Sequence, residues 1–321
     1  MESGASGRSA VNMDAPPNLF EFLPATAVPG YRNLRDPPSK NARVCRDYCD
    51  YLWGRFFPYA DEGFEQDFTT HLHQRFWEMY LGVTLLDAGH AIIAPKPGPD
   101  FGLVLDGRRI WIEAVTATPG DAGKPDSVPR FEPSETGISS GYVPQDQITL
   151  RCTAAISAKF PRQYRQHVQK GIIGERDCYI VAVNHAEAYY WVEVGVPPFM
   201  LRAVLGLGSM FVTLDRTSRE ITKQGVLYRG SVAKSTGAEV DTTLFLTSGS
   251  APLSAVMGSV TTIGTPVHMQ DAQHAMGQDF RLIKNPMARN TVPDGLMVRG
   301  EIDDVSLGPT EFQVSGRLLE P

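Results

Sequence analysis

The sequence lacks most of the features that assign a function at sight. Its 321 residues hold only four scattered cysteines (Cys45, Cys49, Cys152 and Cys178), too few for a disulfide framework. No apolar run reaches the roughly 18 residues that a membrane span requires, and the best candidate, 199–214, is interrupted by Arg202. There is no Gly-x-x-x-x-Gly-Lys-[Ser/Thr], no Gly-x-Ser-x-Gly and no His-Glu-x-x-His, which removes P-loop ATPase, α/β-hydrolase and zincin readings. Gly206-x-Gly208 lacks the third glycine of a dinucleotide fingerprint. A net charge of −6 excludes a surface coated in basic residues but leaves room for a local basic groove. The opening Met1-Glu2-Ser3-Gly4-Ala5-Ser6-Gly7 has neither the basic region nor the apolar run of a signal peptide. The expectation is a cytoplasmic chain in a reducing compartment, with no membrane partner.

What is present reads as one large mixed domain. Residues 1–40 are rich in Gly, Ala, Ser and Pro and are expected to be a flexible lead-in. Val44, Tyr48, Leu52 and Phe56 recur at spacing four and predict a helix over 41–58. Phe64, Phe68, Leu72, Phe76 and Tyr80 predict a longer one over 64–88, closed by Gly89. Residues 147–170 read as helix with a break at Pro161. Cys178–Val183 is a buried-strand pattern, with weaker β-like runs at Met210–Leu214, Thr243–Leu246 and Ala255–Thr262. Residues 117–146 form a long Pro-, Gly- and Ser-rich segment of the kind that is functional or disordered.

The most informative stretch is 99–115. Asp106-Gly107 stands between two apolar-rich runs, a strong signal for a two-residue hairpin turn with φ > 0 at both positions. Counting back from that turn opposes Leu105 to Arg108, Leu103 to Ile110, Phe101 to Ile112 and Asp100 to Glu113. Phe101, Leu103, Leu105, Ile110, Ile112 and Ala114 then share a core face, and Asp100, Gly102, Val104, Arg109, Trp111, Glu113 and Val115 share the other. Directly opposed residues have Cβ atoms about 4.5–5.5 Å apart, and facing like charges destabilise the pair. A divalent cation between Asp100 and Glu113 is the natural relief.

These residues carry a resemblance. Gly98-Pro99-Asp100, then, with twelve residues between the two acids, Ile112-Glu113-Ala114-Val115 resemble the active-site hairpin of the PD-(D/E)XK phosphodiesterase superfamily, the restriction-endonuclease-like proteins. The resemblance covers about 64–184. It implies an α/β fold with a central mixed sheet flanked by helices, here followed by a less regular C-terminal extension over about 240–321, all within one nuclease-like domain, 41–321. It implies a magnesium or manganese ion held by Asp100, Glu113 and the carbonyl of Ala114, with Glu78 assisting from the preceding helix. The superfamily's lysine stands two residues after the second acid, where this chain has Val115. Some members carry that lysine on the following helix, which points to Lys159, with Arg151 about 80° away around the helix as a second cation. Arg162 and Arg165, past the Pro161 break, are candidates for gripping a phosphate backbone.

The expected function is a metal-dependent endonuclease that hydrolyses phosphodiester bonds, with DNA the favoured nucleic-acid partner and homodimerisation left open. The alternative is a nuclease-fold module that has lost catalysis and serves binding or assembly in a defence or repair complex; Val115 favours it. Plainer roles also compete: a Glu78 salt bridge to Arg75 on one helix face, a solvated Lys159, a structural Trp111, and surface roles for His71 and His73. The cysteines are read as small buried hydrophobes rather than a zinc site.

Overall fold

The computed structural model describes residues 15–129, 142–188, 197–268, 276–309 and 311–319. The lead-in expected over 1–40 therefore falls partly outside the described residues, as does the middle of the 117–146 segment. Within the described part, Pro29–Arg35 is already a helix, α1, and Lys40–Phe56 is α2. The helix expected over 64–88 is two helices, α3 (Phe64–Phe68) and α4 (Leu72–Asp87). The break falls at Thr69 and Thr70, whose hydroxyls bond back to the carbonyls of Gln66 and Asp67. Such back-bonding offers the chain an alternative to continuing the helix. Gly89 ends α4 as expected, at φ +85°, with the amides of Gly89 and His90 donating to the carbonyls of Leu86 and Leu85.

The hairpin adopts the register read from the sequence. β1 (Phe101–Leu105) pairs antiparallel with β2 (Arg108–Thr116), from Phe101 opposite Ile112 to Leu105 opposite Arg108. Asp106 and Gly107 lie at φ 50° and 73°, both left-handed, as a two-residue turn requires. α5 (Gln145–Lys159) and α6 (Arg162–Gln169) follow, separated at Phe160-Pro161. β3 (Cys178–Asn184) then pairs parallel with β2.

The largest departure from expectation is at the C-terminal end. β8 (Ala255–Ser259), β9 (Arg281–Lys284), β10 (Gly300–Leu307) and β11 (Phe312–Leu319) join the first three strands in one seven-stranded mixed sheet, ordered β1-β2-β3-β8-β9-β10-β11. The region expected to be a less regular extension thus supplies over half of the central sheet. Thr243–Leu246 is not a strand but a 3-10 turn at Leu244–Leu246, too short for periodicity to separate the two. α7 (Phe199–Leu205) precedes β4 (Leu207–Leu214), which pairs with β5 (Ile221–Tyr228) outside the main sheet, as do the short β6 (Ser231–Ala233) and β7 (Glu239–Asp241).

Helices cover both faces of the sheet. Cys178, Ile180 and Ala182 of β3 enter one core with Ile110, Ile112 and Ala114 of β2 and the apolar side of α2 and α4. Tyr179, Val181 and Val183 enter a second core with Trp111, α5 and α7. A strand buried on both faces reads as a continuous apolar run, which is why Cys178–Val183 was legible. Trp77 of α4 donates from its indole to the carbonyl of Ala182 at 3.1 Å, pinning that helix to the sheet. No described helix is long and apolar enough to cross a membrane.

Candidate active site

β1 is shorter than β2, and the site lies where it stops. β1 pairs only as far as Ile112, so the backbone of Glu113–Thr116 has no strand neighbour on that edge. Buried backbone groups must still be bonded, and side chains do it. Asp100, just before β1, accepts from the amide of Ala114 at 2.7 Å. Gln74 of α4 donates to the carbonyl of Ala114 at 3.1 Å and accepts from the amide of Thr116 at 2.9 Å. The same amide group of Gln74 donates to Glu78 at 2.8 Å, one helical turn on. Asp100, Glu78 and the Ala114 carbonyl are thereby gathered at one sheet edge.

Glu113 projects from β2 on the side of α5 and α6 and is almost fully buried. Its two oxygens are both used: Lys159, the last residue of α5, donates to Oε2 at 2.8 Å, and Nε2 of His167 on α6 lies 2.8 Å from Oε1. The same Lys159 ammonium is 3.6 Å from Oδ2 of Asp100. One cation from the helix after the hairpin thus bridges the two acids, and it is Lys159 rather than Arg151. Burial opposes the charge on Lys159, but Asp100 and Glu113 outweigh it and hold its pKa above the ordinary value. Asp100 is pushed the other way. Burial, joined by the neighbouring Glu113 and Glu78, raises its carboxyl to about 7, although Lys159 and the Ala114 amide pull it down.

Glu78 makes the plainer of the two contacts considered for it and also stands beside the acids. It forms the i, i−3 ion pair with Arg75 at 2.6 Å, and it lines a cavity of about 270 Å³ together with Asp100 and His167. Arg75 is shared with Asp67 at 2.6 Å and Asp61 at 3.7 Å. Among the described residues, Lys159 and the His167 ring face these acids alone while Arg75 is divided, so Glu78, Asp100 and Glu113 meet one unshared permanent cation. That shortage is what a bound cation would correct. Among the described residues, no three His, Cys, Asp or Glu side chains form a ready metal cage. Magnesium asks for less: one or two carboxylates, a further oxygen, and retained waters. Asp100, Glu113 and the Ala114 carbonyl, which keeps a lone pair beyond its bond from Gln74, fit that requirement.

Arg151 does not reach the acids. It donates to the carbonyl of Thr118 at 2.7 Å and pairs with Asp126 at 3.2 Å, tying α5 to the loop that follows β2. Eight residues of helix put it near the right direction, but two turns too far from the hairpin edge. Arg162 and Arg165 are exposed on α6, beside the site rather than in it. Trp111 is structural, donating to Asp177 at 2.9 Å within the second core. His73 pairs with Glu187 at 3.3 Å, whereas His71 stands at the start of α4. All four cysteines are free thiols. Two site residues had no sequence signal of their own. His167 is a lone histidine on a polar helix, brought in by the turn at Pro161. Gln74 is marked only by its spacing of four from Glu78.

Set against models of known protein families, curated proteins and solved structures, the chain matches none of them.

Proposed function

We propose that the chain is a metal-dependent nuclease of the PD-(D/E)XK kind, hydrolysing phosphodiester bonds at the edge where β1 ends. The observation that carries this reading is the bridge from Lys159 to both Asp100 and Glu113. A structural protein has little use for a buried acid and a partly buried one that share one ammonium, because breaking such a group is costly and a hydrophobic replacement is often as stable. A hydrolase needs that arrangement. When bound, a magnesium or manganese ion supplies charge neutralisation at the attacked phosphate and a lowered pKa for its water. Asp100 and Glu113 would hold it, with the Ala114 carbonyl as a third oxygen. Lys159, released from the acids, is the donor nearest the developing charge on the phosphoryl oxygens. His167 fixes Glu113 through Oε1, and Arg162 and Arg165 offer exposed charge to the flanking phosphates.

A second reading has its own support. Both oxygens of Glu113 are satisfied within the chain, as they would be in a module that keeps the fold and has lost the chemistry. Cleavage of supercoiled plasmid, single-stranded DNA and RNA in magnesium and in manganese separates the two. The nuclease reading expects cutting that disappears in Asp100→Ala, Glu113→Ala and Lys159→Ala. It is abandoned if the natural chain cuts nothing, or if Asp100→Ala cuts as well as the natural chain does. Activity appearing only in Val115→Lys would mark the site as degenerate.

A further inference from the structure

The cavity beside Asp100 has walls that the acid cluster does not use. Glu78, Asp100 and His167 form one end. Aromatic and proline rings make up most of the rest, with Asp61 and Lys96 among them. Phe56 and Phe64 are buried and back the cavity, while Tyr59 and Pro95 are half-buried and Pro97 is exposed. The 3-10 turn Phe57–Tyr59 and the loop 94–99 face each other across it. Lys96 ties the two sides together, donating to the carbonyl of Ala60 and pairing with Asp61 at 2.8 Å. Tyr59 is thereby held by its neighbours while its own hydroxyl makes no bond to a described residue.

A ring-lined recess with a few polar groups on its rim suits a flat aromatic ligand. Its position adds a constraint: whatever occupies it adjoins the acids proposed to hydrolyse a phosphodiester. The flat ring attached to such a phosphate is a nucleobase. At about 270 Å³ the recess is large enough for one nucleobase. A base inside a duplex must first leave its stack to enter a pocket of this kind.

We infer that the cavity between Tyr59 and the loop 94–99 holds one unpaired nucleobase next to the scissile phosphate. The substrates are then single strands, or duplexes with an unpaired nucleotide such as a flap, gap or bulge, in preference to continuous duplex. This inference rests on the nuclease reading for its choice of ligand, but its test does not depend on cleavage.

The test is equilibrium binding by fluorescence anisotropy, with calcium replacing magnesium. The probes are a 12-nucleotide thymidine strand, a strand of equal length and charge built of abasic sugars, and a matched duplex. The base-bearing strand should bind at least about fivefold more tightly than the abasic one, the lower end of what base–aromatic stacking supplies. Tyr59→Ala should erase most of that advantage while leaving abasic affinity unchanged, and Tyr59→Phe should keep it. Unchanged abasic binding also shows that the variant is folded. Equal affinity for the two strands, or an equal loss on both in Tyr59→Ala, overturns the inference. Cleavage that needs Asp100 without any base-dependent binding leaves the nuclease standing and removes the pocket. Base-dependent binding through Tyr59 without cleavage does the reverse.

Discussion

Asp100→Asn should make the metal-free protein more stable at pH 8 and leave it unchanged near pH 4. Burial beside Glu113 and Glu78 raises the Asp100 carboxyl from 3.8 to about 7. Below pH 3.8 the group is protonated in both the folded and the unfolded chain and costs nothing. As pH rises from there, the unfolded chain releases the proton while the folded chain retains it, so stability is lost until the folded carboxyl ionises near pH 7. At about 1.4 kcal/mol per pH unit the whole interval is worth ~4 kcal/mol. The side chain is 27% exposed, so solvent screening brings the expectation to about 2 kcal/mol. Asparagine keeps the shape and the acceptor for the Ala114 amide, and Lys159 keeps Glu113 at 2.8 Å. Urea unfolding in EDTA at pH 4, 6 and 8 measures the difference. A gain growing with pH to about 2 kcal/mol is expected, together with loss of cleavage. A destabilised variant at pH 8, or a difference that does not change with pH, refutes the reasoning.

Other perturbations follow from the same geometry. Lys159→Met removes the counter-ion that the buried Glu113 shares with the partly buried Asp100 and should cost about 3 kcal/mol in urea unfolding. Because Lys159 lowers the Asp100 pKa, the same variant should shift any Asp100-dependent metal binding to higher pH, readable by titrating binding against pH. Trp111→Phe strands the Asp177 carboxylate that the indole bonds, leaving it to Arg109 and Gly174, and should cost about 1–2 kcal/mol with cleavage retained. Gln74→Leu unbonds the Ala114 carbonyl and the Thr116 amide together. It should destabilise by about 2 kcal/mol, and hydrogen exchange at Thr116 should quicken.

What could be read in advance was local. The Asp106-Gly107 turn and the two-residue alternation around it set the register of β1 and β2, and with it the proximity of Asp100 and Glu113. Pro161 marked the break between α5 and α6, and Cys178–Val183 was apolar throughout because both of its faces are covered. The strands that could not be read depend on distant partners. β10 carries Glu301, Asp303 and Asp304, a poor β-forming run on its own. It holds because Arg281, on the adjacent β9, binds both oxygens of Asp303 at 2.9 and 2.8 Å and also Glu301. β9 itself is four residues long, too short for a period to show. At the site, Lys159 was legible only through the family resemblance joined to the basic, acid-free run of 147–170. His167 was missed because its role arises only when α6 turns back over β2.

The central claim is that Asp100 and Glu113 hold a divalent ion at the edge of the sheet. Titration of Mn²⁺ followed by electron paramagnetic resonance tests it without reference to any substrate. The account predicts saturable binding to the natural chain that is lost in Asp100→Ala and in Glu113→Ala, both still folded by circular dichroism. Binding of equal strength in all three, or none in the natural chain at pH 8, would contradict it.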